Sequence, residues 1–263
     1  MAITTLDGYI AATKQKIAWS KTTTRTTIAN AWFSLFDIAG QPGAGTLAAG
    51  NTANGLVPTD ATAGYPLVTA FGGSAGYLGR VEYGSTVACR IALFDRLFVA
   101  GAYAFNANTA LASQPSFSGR VPGAIYTGLE LWVEQVTAAT GNQAVNVTYT
   151  DQDNNAGATT GAVGIGAAPT VGRCWQLPLA AGDSGARLIQ NVVGTVATAG
   201  TFNVMVLRPL WSGRVVLANF VNSFDALQNG LPEIFADSAL YAMISADSTS
   251  SGLPECSFQV VNG

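Results

Sequence analysis

The most suggestive reactive group is Ser184, because Gly182-Asp183-Ser184-Gly185 is a setting in which a serine hydroxyl can act as a nucleophile. Acyl transfer from it needs a base to take the proton, and the chain has no histidine. The tetrapeptide therefore reads as a turn between strands, which Gly and Asp at this spacing usually make. Asp151-Gln152-Asp153-Asn154-Asn155-Ala156-Gly157 sets oxygen-bearing side chains at alternate positions before a glycine, as calcium loops do. The place of the closing glutamate is taken by Ala162, and the lead-in is strand-like. A polar hairpin turn is the expectation, with a weak structural ion site on Asp151, Asp153 and Asn155 as the alternative.

Paired carboxylates are the other chemistry open to a chain without imidazole, since glycoside hydrolysis needs only two. Glu130 and Glu134 share one face of an alternating stretch, but four residues at about 3.3 Å each separate their backbones by roughly 13 Å, outside the ~5–9.5 Å window. Asp151 and Asp153 are closer, with no pocket evident around them. Gly161-Ala162-Val163-Gly164-Ile165-Gly166 lacks the Lys-Ser/Thr of a phosphate loop and the glycine order of a dinucleotide turn, so it reads as a flexible loop. Asn146-Val147-Thr148 would accept a glycan only on a secretory route, and no signal for one is evident. Cys89, Cys174 and Cys256 have no metal-ligand spacing and read as small buried apolar groups. No catalytic residue, cofactor or resident metal is expected.

Composition narrows the class further. Of 263 residues only 10% are charged, 49% are hydrophobic, and five Trp, eight Tyr and twelve Phe exclude a disordered chain. A chain this long buries a sizeable core without staples. The apolar run 93–105 is broken by Asp95 and Arg96, too early for a membrane helix, and residues 1–21 lack the order of a signal peptide, so neither spanning nor export by that route is expected. All three lysines, Lys14, Lys16 and Lys21, lie near the start with Arg25 and one acid, Asp7. From Val215 onward stand Asp225, Glu233, Asp237, Asp247 and Glu255 with no base. Four cations on a net-acidic chain fall short of a nucleic-acid stripe, so either solvated faces or a basic arm docking on an acidic neighbour is expected.

Thr4-Thr5-Leu6-Asp7 offers a helix start, and Leu6, Ile10, Lys14 and Ile17 follow at helical spacing. Residues 22–27 suit an exposed extended segment, and 28–38 are ambiguous between helix and strand. The stretch 40–76, crowded with Gly, Pro, Asn and Ala, predicts a long excursion that packs on something beyond its own domain. Strands are predicted over 77–83, 87–103, 124–136, 144–150, 174–179, 188–196 and 202–210, with turn residues between them. That cadence predicts a mainly β fold, an antiparallel β-sandwich or jelly-roll-like body. One or two helical turns are predicted in 222–245. The organisation expected is an arm (1–27), an aromatic and Gly-rich segment (28–76), a β-sandwich body (77–216) and an acidic segment packing on it (217–263).

Residues 50–60 (Gly-Asn-Thr-Ala-Asn-Gly-Leu-Val-Pro-Thr-Asp), Phe71-Gly72-Gly73, Tyr77-Leu78-Gly79-Arg80 and Leu93-Phe94-Asp95-Arg96-Leu97 resemble structural proteins of tailed-bacteriophage virions. So do Val145-Asn146-Val147-Thr148-Tyr149-Thr150-Asp151-Gln152-Asp153, Leu177-Pro178-Leu179 and Gly182-Asp183; together these motifs span about two thirds of the chain. The resemblance implies a virion component with a jelly-roll-like body, a decoration or cement protein on the capsid exterior, made in the host cytoplasm. It further implies self-association, most simply as a homotrimer, and the major capsid protein as partner. It carries no catalytic residues.

A surface with few charges and many small residues lowers the desolvation cost of broad contacts. Interface anchors are expected at Tyr9, Ile10, Ile17, Trp19 and Trp32, with Lys14, Lys16, Lys21 and Arg25 as the basic contribution. Ordinary core is the competing reading for each apolar anchor. The alternatives to a capsid clamp are another virion role, as major capsid, tail or host-binding protein, and a carbohydrate-acting virion enzyme.

Overall fold

Apolar and polar residues alternate along much of the chain, and alternation places successive side chains on opposite faces of a strand. The computed structural model describes residues 5–71, 75–165 and 170–263. In chain order it contains α1 (Leu6–Ala11), β1 (Lys14–Lys21), β2 (Trp32–Ser34), β3 (Gly40–Gln41), β4 (Asn51–Leu56), β5 (Gly76–Gly84), β6 (Cys89–Ala104) and β7 (Asn108–Ala110). There follow β8 (Glu130–Thr137), β9 (Gln143–Asp151), β10 (Ala156–Thr159), β11 (Val163–Ile165), β12 (Arg173–Leu177), β13 (Ala186–Gly194) and β14 (Thr201–Val215). Last come β15 (Asn222–Phe224), α2 (Ala226–Asn229), β16 (Glu233–Ile234), β17 (Leu240–Ala246) and β18 (Glu255–Asn262).

The strands form three antiparallel sheets. In the middle one the order is β14-β8-β12-β2-β17-β6, and β6 pairs back onto β14, so six strands close into a barrel with β4 added outside β6. One flanking sheet has the order β15-β5-β18-β1-β3, with β16 also on β5; the other has β10-β9-β13-β7, with β11 also on β9. Alternation sorts the side chains between these layers. Along β17, Tyr241 and Met243 point into the barrel while Leu240, Ala242 and Ile244 pack under the β1/β5/β18 sheet. Along β8, Trp132 and Val136 point in while Leu131 and Val133 pack under the β9/β13 sheet. The long strands β6 and β14 serve both layers: Ile91 and Leu93 face one, Phe98 and Ala100 the other, and bulges near Leu207 and Leu210 permit the switch. Each such apolar side chain stabilises the fold by about 1.5–3 kcal/mol. The antiparallel β-sandwich predicted from the sequence is thus present, with a closed barrel as its middle layer.

Several local expectations change. The helix starts one residue later than the first threonine suggests, with Thr5 accepting from the Gly8 N–H at 3.0 Å, and stops at Ala11. Lys14 and Ile17 belong to a strand, because Ile17 and Trp19 alternate into the core and β18 supplies seven register partners from Val261 to Glu255. Within 22–27, Arg25 and Thr27 are buried. The 222–245 segment is helical only at α2, which Asp225 and Gln228 close with a capping box; β17 is buried on both sides, so its apolar run has no polar face.

The glycine-rich excursion packs on its own domain. Leu47 and Tyr65 close one end of the barrel, and Val68 and Phe71 join the core beneath the β1/β5/β18 sheet. Glycine permits this approach: a Cβ on Gly45 or Gly64 would stand 2.3 or 2.4 Å from the Phe36 ring.

Candidate assembly interface

The groups with chemical potential are consumed by the fold. Glu134 is fully buried in the barrel, where one carboxylate oxygen accepts from Arg96 Nη2 at 2.9 Å and Asn203 Nδ2 at 3.0 Å. Its other oxygen accepts from the Tyr241 hydroxyl at 2.7 Å. Burial pushes the Tyr241 hydroxyl well above the ordinary phenol range, and nearby Cys174 and Glu134 add to it. Arg96 also reaches the Tyr65 hydroxyl at 3.3 Å. On the opposite face of β6, Asp95 accepts from Arg208 Nη2 at 3.1 Å, Ser238 Oγ at 2.9 Å and the Ala239 N–H at 3.1 Å, with Arg120 Nη1 at 3.4 Å. These buried charges are paired and hydrogen-bonded, the condition under which burial is tolerated. Glu130 accepts from Trp132 Nε1 at 2.7 Å, and burial raises its pKa.

Asp151 Oδ1 accepts the N–H groups of Asp153 and Asn155 at 2.9 and 2.8 Å, and Oδ2 accepts from Asn155 Nδ2 at 2.8 Å. The carboxylate closes a turn, and a cation would have to displace three donors. The Asn155 side chain and then the two N–H groups hold its pKa below the ordinary aspartate value. This lowering stabilises the turn above the unfolded-state pKa of about 3.9 and is lost as pH falls through the folded value. We expect Asp151→Ala to lower the melting temperature at pH 7 and to have no effect well below that range, with calcium and chelator giving identical melting temperatures for the wild type. A calcium-dependent rise would show an ion site.

Ser184 lies in the neighbouring turn, where its N–H donates to Gln152 Oε1 at 2.9 Å. Asp183 accepts from the Tyr149 hydroxyl at 2.6 Å; burial first, and this bond second, push that hydroxyl up to about 12. Asn146 and Thr148 stand in β9, and Gly161 and Gly164 flank and join β11, while Gly166 lies outside the described residues. All three cysteines are free and buried, and burial pushes the Cys89 thiol up to about 11. Among the described residues no group of three or more His, Cys, Asp or Glu could hold a metal ion, and no helix is long and apolar enough to cross a membrane.

The expected interface residues divide. Ile17 and Trp19 are core, 5% and 4% exposed, because they sit on the inner face of β1. Trp32 is half-buried edge-on to Trp132, with ring centres 6.4 Å apart. Lys21 is buried, donating to the Ile38 and Pro42 carbonyls at 3.0 and 3.2 Å, and burial lowers its pKa to about 8. Arg25 is buried against Asp37 and the Val171 carbonyl. Lys14 caps α1 through the carbonyls of Tyr9, Ile10 and Ala12 at 2.9–3.1 Å. Tyr9 is half-buried and donates to Gln259 Oε1 at 3.2 Å. Only Ile10, Lys14 and Lys16 face outward, so the basic arm is replaced by an edge strand. Among the described residues, beyond β18, β1 is paired only at Ser20 and Lys21, and lysines on such an edge discourage adventitious strand pairing.

One open surface is the outer face of the β1/β5/β18 sheet. Lys16, Ala18 and Ser20 on β1, Glu255, Ser257 and Gln259 on β18, and Arg80 and Glu82 on β5 line it, and hollows of about 560, 300 and 620 Å³ run along it. Apolar side chains stand at both ends. Near Gly84 the exposed turn after β14 carries Val216, Leu217, Phe220 and Val221; near Arg80 the helices carry Leu6, Ile10 and Leu227, the last 92% exposed. The sequence does contain the signal for the first group: 215–224 is an apolar stretch without one charge, which continues the β14 strand pattern and so looks like core.

No protein-family model matches this sequence, and no curated protein sequence does. Solved structures from infectious bursal disease virus align weakly. The structure of the Gt strain aligns at 9% identity over 95% of this chain and 81% of that chain, with a TM-score of 0.21. The T13 viral particle gives 7%, 96%, 78% and 0.20, and the VP2 subviral particle 9%, 95%, 80% and 0.17. TM-scores of this size indicate neither a shared fold nor a shared role.

Proposed function

We propose that this chain is a non-enzymatic structural subunit of a phage virion, a decoration or cement protein that binds the major capsid protein on the head exterior and associates with copies of itself as a trimer. The observation that carries this reading is the open sheet face flanked by exposed Val216, Leu217, Phe220, Val221, Leu6, Ile10 and Leu227. Clusters of exposed large apolar side chains set around a polar face on a charge-poor protein mark a contact with another macromolecule. The resemblance of its motifs to tailed-phage structural proteins supports the same role. So does the engagement of Glu134, Asp95 and Asp151, each of which accepts at least three hydrogen bonds that hold the fold.

Co-sedimentation of the full chain with emptied phage heads tests it. Saturable binding in hundreds of copies per head is expected. Because the flanks are apolar, binding should persist at high salt, whereas a lysine-driven contact would be screened. A chain that stays in the supernatant at every salt concentration contradicts the reading.

A further inference from the structure

The two apolar ends of the open sheet face differ in shape. Residues 216–221 are six consecutive exposed positions on a turn, fixed by the Asn219 N–H donating to the Ser85 carbonyl at 2.8 Å. Between α1 and α2, by contrast, lies a groove of about 620 Å³ lined by Leu6, Tyr9, Arg80, Leu227 and Leu231. Its size falls within the roughly 300–1,000 Å³ of concave sites that enclose a compact apolar group. The register Glu255↔Gly84 and Gln259↔Arg80 sets turn and groove four residues apart along β5, about 13 Å.

We propose that the occupant of the groove is the 216–221 turn of a second copy of this chain. This builds on the self-association proposed for the virion subunit. Convex turn and concave groove are distinct patches that share no residue, so the contact can run head to tail, the kind that closes into rings such as a trimer. Charge agrees: copies with a net charge of −3 repel, and a turn with no charged residue from Val215 to Phe224 brings no like charge into the contact. Area agrees as well. Val216, Leu217, Phe220 and Val221 at 75%, 67%, 56% and 58% exposure, with Leu6, Ile10 and Leu227 at 73%, 64% and 92%, present on the order of 100 Å² each. Together they supply roughly half of the ~1,200–2,000 Å² that a specific interface buries, and the polar sheet face between them supplies the rim.

The test pairs one turn variant, Leu217→Asp with Phe220→Asp, with one groove variant, Leu227→Asp. All three positions are exposed, so circular dichroism and melting should match the wild type. By multi-angle light scattering the wild type is expected as a trimer and each variant as a monomer. An equimolar mixture is expected to give dimers, because the intact groove of one variant accepts the intact turn of the other. A variant that keeps the wild-type mass overturns the proposal, as does a mixture that stays monomeric. A wild-type monomer that still sediments with phage heads overturns this contact alone, whereas failure to sediment counts against the virion role instead.

Discussion

Glu134→Ala is expected to cost about 3–5 kcal/mol, the penalty for leaving a buried charge without its partner. The carboxylate is the common acceptor for Arg96, Asn203 and Tyr241, which arrive from β6, β14 and β17, three strands of the closed barrel. Its removal strands the Arg96 guanidinium, 2% exposed, beside two aromatic rings. Against a typical total of about 5–15 kcal/mol, that loss takes about a fifth or more of the stability. Glu134→Gln keeps an acceptor and should fall between. The double replacement Arg96→Met with Glu134→Leu should recover part of the loss, because it removes the stranded charge but still leaves the buried Asn203 and Tyr241 donors without their shared acceptor. Urea denaturation midpoints measure all three. A Glu134→Ala midpoint equal to the wild type would show that the pair does not hold the barrel.

Deleting residues 1–27 is expected to abolish folding. On sequence alone this segment is an arm whose loss leaves a soluble β body. In the structure it contributes β1, which covers the edge of β18 from Glu255 to Val261 and places Ile17 and Trp19 in the core shared by β5, β17 and β18. Losing a buried isoleucine and a buried tryptophan costs about 2–5 and 3–5 kcal/mol, which together equal the stability of a typical domain. The uncovered β18 edge would also template aggregation. A soluble, cooperatively melting 28–263 fragment would contradict this placement.

The strands 77–83 and 144–150 are legible because each has one buried face and short turns, so a period of two survives in the sequence, whereas 202–210 is buried on both faces and is legible as a short apolar run between turn residues. Barrel closure is not. The β6–β14 pairing joins residues about a hundred or more positions apart, and three register shifts along it break the alternation that would reveal it. β1 is ambiguous in the sequence because Leu6, Ile10, Lys14 and Ile17 fit a helical period as well as Ile17 and Trp19 fit a strand. What decides between them is a partner strand some 240 residues away. The excursion 40–76 hid its role because Leu47, Tyr65, Val68 and Phe71 are isolated apolar residues among glycines. Outward position is legible for Ile10 and Lys16, but the exposed 216–221 turn carries core-type residues, and exposure cannot be read from residue type.

Hydrogen exchange on the chain, free and bound to emptied heads, addresses the assembly role most directly. Relative to the chain diluted until it is monomeric, slowed exchange in the head-bound chain is expected in 6–20, 80–84, 216–227 and 255–259, the open sheet face and its two flanks, with the β9/β13 sheet unchanged. Protection confined to the β9/β13 sheet, or none at all in the presence of heads, would contradict it.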